Sequence, residues 1–313
     1  MTDVGKTPKR EKEEIKVRKL FVLILVVAMI ATAAISQKTI GVAISTLENP
    51  FFVTMKEGGE AKASELGLNI IVLDAHDSPE RQSSQVEDLI ARRVDVLIIN
   101  PVDSDAIVPA VLEANRAGVP VITVTRPSNG GEVRQHLDID NAMAGQMIAE
   151  ALAEALGGSG RVAILEGIPG APSARDRQRG FIEEINNYPG IQVVSTLTAN
   201  YSREQGSSVM EDVLTANPVL DAVYAHNDQM ALGAVRTIIA AGRIDEIKVF
   251  GVDAIDDALD AIRAGHMVAT VKQQPALQMA MAVVAAQRII NGASVEPLVI
   301  VPLKLITAEN VDE

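Results

Sequence analysis

The chain has no cysteine and no tryptophan, and aromatic residues make up only 3% of its 313 residues. Without cysteine there is no disulfide, no thiolate nucleophile, no Cys-ligated zinc and no lipid-modified N-terminal cysteine. With so few rings, the cores must be packed by Val, Ile, Leu and Ala, which dominate an apolar fraction of 48%. The length suffices for two domains of ordinary size.

Basic residues are outnumbered by acidic ones, 28 against 41, which gives a formal net charge of −13. This charge argues against binding to nucleic acid, and an acidic surface by itself indicates only solubility. The sequence also lacks the phosphate-loop, nucleophile-elbow and dinucleotide-binding glycine motifs. Its four histidines are isolated and do not have the spacing of metal ligands. We therefore predict a non-enzymatic protein without a cofactor or a metal.

The first 36 residues are predicted to be a targeting segment. A basic leader precedes residues 20–35, an apolar run that is shorter than the roughly 20 residues a spanning helix needs. Small residues follow it, and we place signal-peptide cleavage after Ser36. An uncleaved membrane anchor is the alternative. In either case the globular part is exported to the periplasm or the cell surface.

From residue 39 onward, apolar runs alternate with helical patterns in two similar series. Continuous Val/Ile/Leu runs are typical of parallel strands that are covered on both faces. The pattern predicts an α/β protein with two similar doubly wound, Rossmann-like lobes and a cleft between them. Residues 127–136 are predicted to be a polar crossover, residues 157–160 a turn, and the end of the chain a short tail. The predicted strands are 40–44, 69–73, 95–99, 120–124, 161–165, 191–197, 221–225, 247–252, 266–271 and 298–301.

Polar and aromatic residues follow these strands, where doubly wound sheets bind their ligands. Phe51 and Phe52 stand side by side on a predicted turn after the first strand, next to Ser45 and Asn49, and they line a cleft or fill the core. Amides, carboxylates, guanidiniums and rings together suit a neutral polyhydroxyl ligand. The other candidates are Asn100, Asp103, Thr125, Arg126, Asp140, Asn141, Arg175, Arg177, Tyr201, Asn227, Asp228, Asp253 and Gln273.

Several of these candidates have simpler structural explanations. Asp103, Asp140 and Asp228 are each equally well explained as the N-cap of the next helix. One of Arg175 and Arg177 is expected on a solvated helix face. His226 is interpreted as a polar neighbour of a binding residue, because no nucleophile accompanies it.

The sequence resembles the periplasmic sugar-binding proteins of ABC transporters, and within that family the ribose-binding branch. The resemblance covers residues 39–305 and rests on several motifs together. These are STLENPFF at 45–52, INPVDSDA at 99–106, VPVIT at 119–123, ARDR at 174–177, AHNDQMALGA at 225–234 and ATVKQ at 269–273.

The resemblance implies two discontinuous lobes joined by a three-stranded hinge: 37–139 with 274–302, and 140–273 with 303–313. It implies a monomeric receptor that closes around a monosaccharide and delivers it to an ABC permease with its ATPase. A chemoreceptor or sensor kinase is the alternative partner. In the first lobe, the implied ligand-binding residues are Ser45, Asn49, Phe51, Phe52, Thr125 and Arg126. In the second lobe they are Asn141, Arg177, Tyr201, Asn227, Asp253 and Gln273.

Two positions depart from the ribose-binding pattern. Thr125 stands where that branch has an aspartate that binds sugar hydroxyls, and Val252 stands where it has a phenylalanine. Loss of a hydrogen bond to a charged group is expected to weaken ribose binding by about tenfold to a hundredfold. We therefore expect a ribose-like pentose or a related sugar or polyol. The effector core of a LacI-type regulator has the same fold, but the apolar export segment stands where a DNA-binding motif would be required.

Overall fold

The computed structural model describes residues 37–313, so the predicted targeting segment lies outside the described residues. Two six-stranded sheets form the framework. The strands are β1 Thr39–Ile44, β2 Asn69–Asp74, β3 Val96–Ile99, β4 Val121–Val124, β5 Gln135–Asp138, β6 Ser159–Glu166, β7 Gly190–Thr198, β8 Ala222–Ala225, β9 Lys248–Asp253, β10 Ala269–Lys272, β11 Leu298–Ile300 and β12 Lys304–Thr307.

Helices connect the strands in each sheet. In the described residues they are α1 Pro50–Glu65, α2 Pro79–Ala91, α3 Val108–Arg116, α4 Asn141–Ala155, α5 Pro172–Ile185, α6 Arg203–Ala216, α7 Asp228–Ala240, α8 Asp256–Arg263 and α9 Pro275–Ile290. Polar N-caps position several of these helices at the strand ends. The side chain of Asn49 accepts a hydrogen bond from the Phe51 amide before α1, and that of Asn227 accepts one from the Met230 amide before α7.

The first sheet has the order β11-β5-β4-β3-β1-β2 and is parallel throughout. The second has the order β12-β10-β9-β8-β6-β7 and is parallel except for β12, which pairs antiparallel with β10. The chain crosses between the sheets three times, after β5, β10 and β11. The predicted doubly wound α/β fold with two similar lobes is confirmed.

Each sheet is covered by helices on both faces, as continuous apolar strands require. In β1, Ile40, Val42 and Ile44 face the layer of α1 and α9, whereas Ala43 faces α2 and α3. In the second sheet, Ile164 of β6 packs toward α4 and α5, and Leu165 packs toward the opposite core. This two-sided burial explains why β3, β4 and β8 have no exposed residue.

Some predicted elements were wrong. Residues 135–138 form β5 inside the segment predicted as a crossover, and the predicted tail contains β12. Both strands have polar residues and incomplete burial, so neither has the continuous apolar run that marked the others. Strand β6 begins at Ser159, inside the predicted glycine turn. Phe51 and Phe52 lie in the first turn of α1, not on a loop, because Asn49 and Pro50 start the helix early.

Candidate functional site

A cavity of about 310 Å³ lies at the carboxyl ends of strands from both sheets. Its first wall comes from residues that follow β1, β2 and β4, and its second from residues that follow β6, β7, β8, β9 and β10. This volume is at the lower end of the range for small-molecule sites. The topology therefore produces a binding-sized cavity where parallel strand ends of two sheets face each other.

The first wall is built around the start of α1. The rings of Phe51 and Phe52 meet edge to face, with centroids 5.1 Å apart and planes at 87°. They are 4% and 5% exposed and belong to the core beneath α1, yet both line the cavity. The two interpretations of these rings, core and cleft, are therefore compatible: their inner edges pack and their outer surfaces face the cavity.

Arg126 supplies the positive charge of the first wall. Its Nη1 donates to the carbonyl oxygens of Pro101 at 3.0 Å and Val102 at 3.4 Å, and its guanidinium lies 5.7 Å from the Phe52 ring centroid. Burial lowers the pKa of Arg126, and electrostatic interactions with Tyr201 and Asp77 oppose this shift. Because the guanidinium stays charged at any ordinary pH, it is a fixed donor at the cavity.

Thr125 precedes this arginine in a left-handed backbone conformation, with φ of 66°. A β-branched residue rarely adopts this conformation, which indicates a locally strained backbone held by its surroundings. Its amide donates to the Leu137 carbonyl at 2.7 Å, and its hydroxyl donates to Gln278 Oε1 at 3.4 Å. Gln278 in turn donates to the Gln273 carbonyl at 2.8 Å, so Thr125 is linked to the segment where the chain crosses between sheets.

Arg177 supplies the positive charge of the second wall. Its Nε donates to Asn141 Oδ1 at 3.0 Å, and its Nη1 donates to the His226 carbonyl at 2.6 Å. Helices α4 and α5 approach closely enough for this contact because Gly145 and Gly180 lie against backbone atoms of the opposite helix. The guanidinium is thus held from behind by two acceptors while it lines the cavity.

Tyr201 provides the ring of the second wall. It follows β7 with φ of 58°, and its hydroxyl lies 3.0 Å from Ser173 Oγ. Gly167 lies directly against the ring, where a Cβ would come within 2.6 Å of Tyr201 Oη. The predicted aromatic residue opposite Phe51 and Phe52 is therefore present, and a glycine makes room for it.

Asp253 and Gln273 complete the second wall. The Gln273 amide nitrogen donates to Asp253 Oδ1, while Gln273 Oε1 is buried and has no hydrogen-bond partner among the described residues. Asp253 has φ of 136°, a strained value for a residue with a side chain. A buried acceptor without a donor costs free energy, and a ligand hydroxyl that donates a hydrogen bond to it would remove that cost.

Burial raises the pKa of Asp253 well above its ordinary value, and the nearby Asp228 carboxylate adds to the shift while Arg177 opposes it. The pKa of Asp228 is also raised by burial, against hydrogen bonds from Thr270 and the Ile255 amide. Asp228 is therefore not the N-cap of α7: Asn227 has that position, and Asp228 ties β9 and β10 together. Asp140, in contrast, caps α4 through the Met143 amide.

His226 is a structural residue. Burial, and then the charge of Arg177, lower its pKa to about 3, so it is neutral. Its Nδ1 accepts from the Gly167 amide at 3.3 Å, and its Nε2 therefore carries the proton that pairs with Gln178 Oε1 at 2.9 Å. The interpretation as a polar neighbour of the site agrees with this arrangement.

The cavity wall includes most of the predicted ligand-binding residues. Ser45 and Asn141 are exceptions: Ser45 is buried behind the wall and donates to Asn100 Oδ1 at 2.6 Å, and Asn141 supports Arg177. Arg175 is exposed, and Val252 lies in the second core rather than at the cavity. The predicted residues that line the cavity are Asn49, Phe51, Phe52, Thr125, Arg126, Arg177, Tyr201, Asn227, Asp253 and Gln273.

Other lining residues were missed by sequence reasoning. Asp77 follows β2, and the rule that selected the other strand-end residues would have found it had it been applied to that strand. The remainder extend the walls around positions that were predicted. They are Thr46, Glu48, Ile168, Ser173, Asn200, Ser202, Arg203, Glu204 and Gln229.

Within residues 37–313, no helix combines the length and hydropathy that crossing a bilayer requires. In the same part of the chain, no group of three or more His, Asp or Glu residues is arranged to hold a metal ion.

Comparison with known proteins gives consistent matches. The model of the periplasmic binding protein domain matches residues 40–294. The ribose import binding protein of Bacillus subtilis is 44% identical over 269 residues, which cover 86% of this chain and 87% of that protein. A periplasmic solute-binding protein of an ABC transporter from Actinobacillus succinogenes 130z, solved with bound D-allose, is 34% identical, with a TM-score of 0.86 and coverage of 88% and 99%. A solute-binding protein from Bacillus halodurans C-125, solved with bound myo-inositol, is 34% identical, with a TM-score of 0.84 and coverage of 90% and 98%.

Proposed function

Because the chain belongs to the periplasmic binding protein family, we propose that it binds a single monosaccharide or related polyol and delivers it to an ABC importer. Its relatives are import binding proteins and sugar-bound receptors rather than catalysts. The protein accordingly acts by binding and release, without turnover. Which sugar it binds follows from its own cavity rather than from the name of any relative.

One observation carries the proposal: a single cavity has a ring pair, an arginine and open acceptors on walls from two separate sheets. Phe51 and Phe52 on the first wall lie opposite Tyr201 on the second, and the buried oxygen of Gln273 has no partner. A sugar has apolar ring faces and hydroxyls that both donate and accept hydrogen bonds. Each wall offers an aromatic surface for the ring faces and polar groups for the hydroxyls. A ligand that contacts both walls stabilises the closed arrangement of the lobes by its differential affinity.

The ten predicted residues that line the cavity are proposed to contact the ligand, and Ser45 and Asn141 to support them. The proposed lobes are residues 37–139 with 274–302 and residues 140–273 with 303–313. The division is supported by the strand membership of the two sheets and by the packing of α9 on α1 and on strands of the first sheet. Thr125 has no carboxylate, which supports a ligand whose hydroxyls differ in arrangement from those of ribose.

The test is thermal melting of the protein with D-ribose, D-allose, myo-inositol and xylitol. A ligand at a hundred times its dissociation constant stabilises the folded state by about 2.7 kcal/mol, which shifts the melting temperature measurably. The Asp253→Ala variant is the control and is expected to lose the shift. If no pentose, hexose or polyol shifts the melting temperature, the proposal is wrong.

The proposed partners are a membrane permease and its separate ATPase, and the proposed location is outside the cytoplasmic membrane. The import binding proteins among the relatives support both. A sensory role with a chemoreceptor or a sensor kinase stays a prediction. Transport assays in a deletion strain, compared with chemotaxis assays in the same strain, separate the two roles.

A further inference from the structure

Asp77 lines the cavity from a loop with two consecutive left-handed residues. It follows β2, and both His76 and Asp77 are left-handed, with φ of 48° and 54°. The loop is held in place, because the Asp77 amide donates to the Ser45 carbonyl at 2.8 Å and the His76 amide donates to Asp74 Oδ1 at 2.8 Å. Histidine and aspartate are among the residues that adopt this conformation most readily, so these two positions and their hydrogen bonds hold Asp77 in a defined place at the cavity.

The first wall has few acceptors for a hydroxyl other than Asp77. Asn49 Oδ1 already accepts from the Phe51 amide, which leaves it one lone pair, and the Thr125 hydroxyl donates to Gln278 and is a neutral acceptor, weaker than a carboxylate. Arg126 can only donate. Glu48 carries a carboxylate, but its side chain is 81% exposed at the mouth of the cavity. A sugar hydroxyl that faces this wall needs an acceptor for its proton, and Asp77, although it is itself exposed to solvent, lines the cavity with a partly desolvated carboxylate.

Asp77 is accessible from the cavity yet partly desolvated by its walls. That desolvation raises the pKa of its carboxyl, as do Glu48 and Asp74, whereas Arg126 and the Thr46 hydroxyl lower it. Within the described residues, no ion pair shorter than 4.0 Å joins Asp77 to Arg126. The carboxylate therefore interacts electrostatically with the buried guanidinium of Arg126 but forms no direct ion pair with it, so it can still accept a hydrogen bond from a ligand.

We propose that Asp77 is a ligand-binding, specificity-determining residue, whose carboxylate accepts a hydroxyl proton from the bound sugar or polyol beside Arg126. Arg126 donates to the oxygen of the adjacent hydroxyl, so the pair recognises a vicinal diol. The inference rests on the proposed function, because it names a contact made by the same ligand. It places the first-wall carboxylate after β2, whereas position 125 after β4 has only a hydroxyl.

The experiment compares the wild type with Asp77→Asn and Glu48→Gln by isothermal titration. The probe is whichever of D-ribose, D-allose, myo-inositol and xylitol binds the wild type most tightly. Asn tolerates the left-handed conformation and keeps the shape, so Asp77→Asn is expected to fold as the wild type does. Its affinity is expected to fall tenfold to a hundredfold, the size expected for a hydrogen bond to a charged group. Glu48→Gln, which removes the same charge at the mouth, is expected to change affinity by less than about threefold.

A second measurement identifies the hydroxyl. Deoxy analogues of the probe, each lacking one hydroxyl, are titrated against the wild type and Asp77→Asn. One analogue is expected to bind the wild type more weakly than the parent ligand does, but to bind Asp77→Asn about as well as the parent ligand does. The reason is that the missing hydroxyl and the substitution remove the same contact. Asp77→Gly, which takes the backbone conformation without strain, repeats the test if Asn perturbs the loop.

Three outcomes overturn the inference. Unchanged affinity in Asp77→Asn and Asp77→Gly would leave Asp77 as a loop residue only. An equal loss of affinity in Glu48→Gln would show that Asp77 acts only through the negative charge of the cavity and not through a direct hydrogen bond. If the wild type binds none of the four probes, the proposed function fails and the inference fails with it, whereas the first two outcomes leave the proposed function intact.

Discussion

The contact between Gly167 and Tyr201 allows a sharp test of how the cavity is shaped. A methyl group at position 167 would come within 2.6 Å of Tyr201 Oη and closer still to the ring carbons. Ordinary contacts between such atoms are about 3.5–4.0 Å, so the ring must move by about 1 Å or more. Gly167 does not have a positive φ, so alanine fits the backbone itself, and the Gly167→Ala change acts through the ring alone.

The ring can only move away from Gly167, toward the ligand. The move weakens the 3.0 Å contact between the Tyr201 hydroxyl and Ser173, which contributes about 1 kcal/mol. Because that contact is weakened with or without ligand, the change in affinity comes from overpacking in the ligand-bound state. Overpacking costs about 1–3 kcal/mol, so the dissociation constant is expected to rise by about fivefold to 150-fold. Isothermal titration with the sugar found in the melting screen measures it. The melting temperature of the free protein is expected to change less, because a cavity-facing ring can relax into water.

A double-mutant cycle with Tyr201→Ala isolates the clash. The Gly167→Ala change is expected to have little effect on affinity when the ring is absent, so the two changes are strongly non-additive. Gly59→Ala is the matched control, because its Cβ would meet the flexible side chain of Met279 under α1, in the core. Wild-type affinity in Gly167→Ala would contradict the reasoning, and so would an equal loss with and without the Tyr201 ring.

Two further predictions concern buried ionisable groups. Burial holds the pKa of His226 near 3, below its ordinary 6.5, so the unfolded chain gains the proton first and stability is lost as the pH falls below about 6.5. Urea denaturation is expected to find about 2 kcal/mol less stability at pH 5 than at pH 7 from this group, and His226→Gln is expected to lack that component. The pKa of Asp253 is raised, so its contribution to the stability of the free protein is present at acid pH and lost as the pH rises through that pKa. Asp253→Asn is therefore expected to raise the melting temperature of the free protein more at pH 7 than at pH 4.5. The same change is expected to weaken ligand binding at least tenfold. A variant whose free form is destabilised equally at both pH values would contradict this.

The architecture was largely readable from the sequence, because continuous apolar runs report strands buried on both faces. Strand β3 is such a run, and the structure buries every residue of it. Strand β5, Gln135–Asp138, was not readable, since only alternate residues are buried and its sequence is polar. The resemblance to sugar receptors is confirmed at the level of the family by the matching family model and relatives.

The candidate site was less completely predictable, because a sequence does not tell which polar side chain lines the cavity and which is buried behind the wall and hydrogen-bonds to a neighbour. Ser45 and Asn141 follow the same rule as Asn49 and Arg177, yet the structure turns them toward Asn100 and toward Arg177.

By itself the sequence determined the two-lobed doubly wound fold and half of the cavity-lining residues, because both follow from local composition, periodicity and short motifs after the strands. Only the tertiary structure decided which side chains face the cavity, that Gly167 makes room for the Tyr201 ring, and that Asp77 enters from the loop after β2. Those features depend on distances between segments far apart in the chain. Such distances follow from how the sheets and helices pack together, and no local pattern in the sequence encodes them.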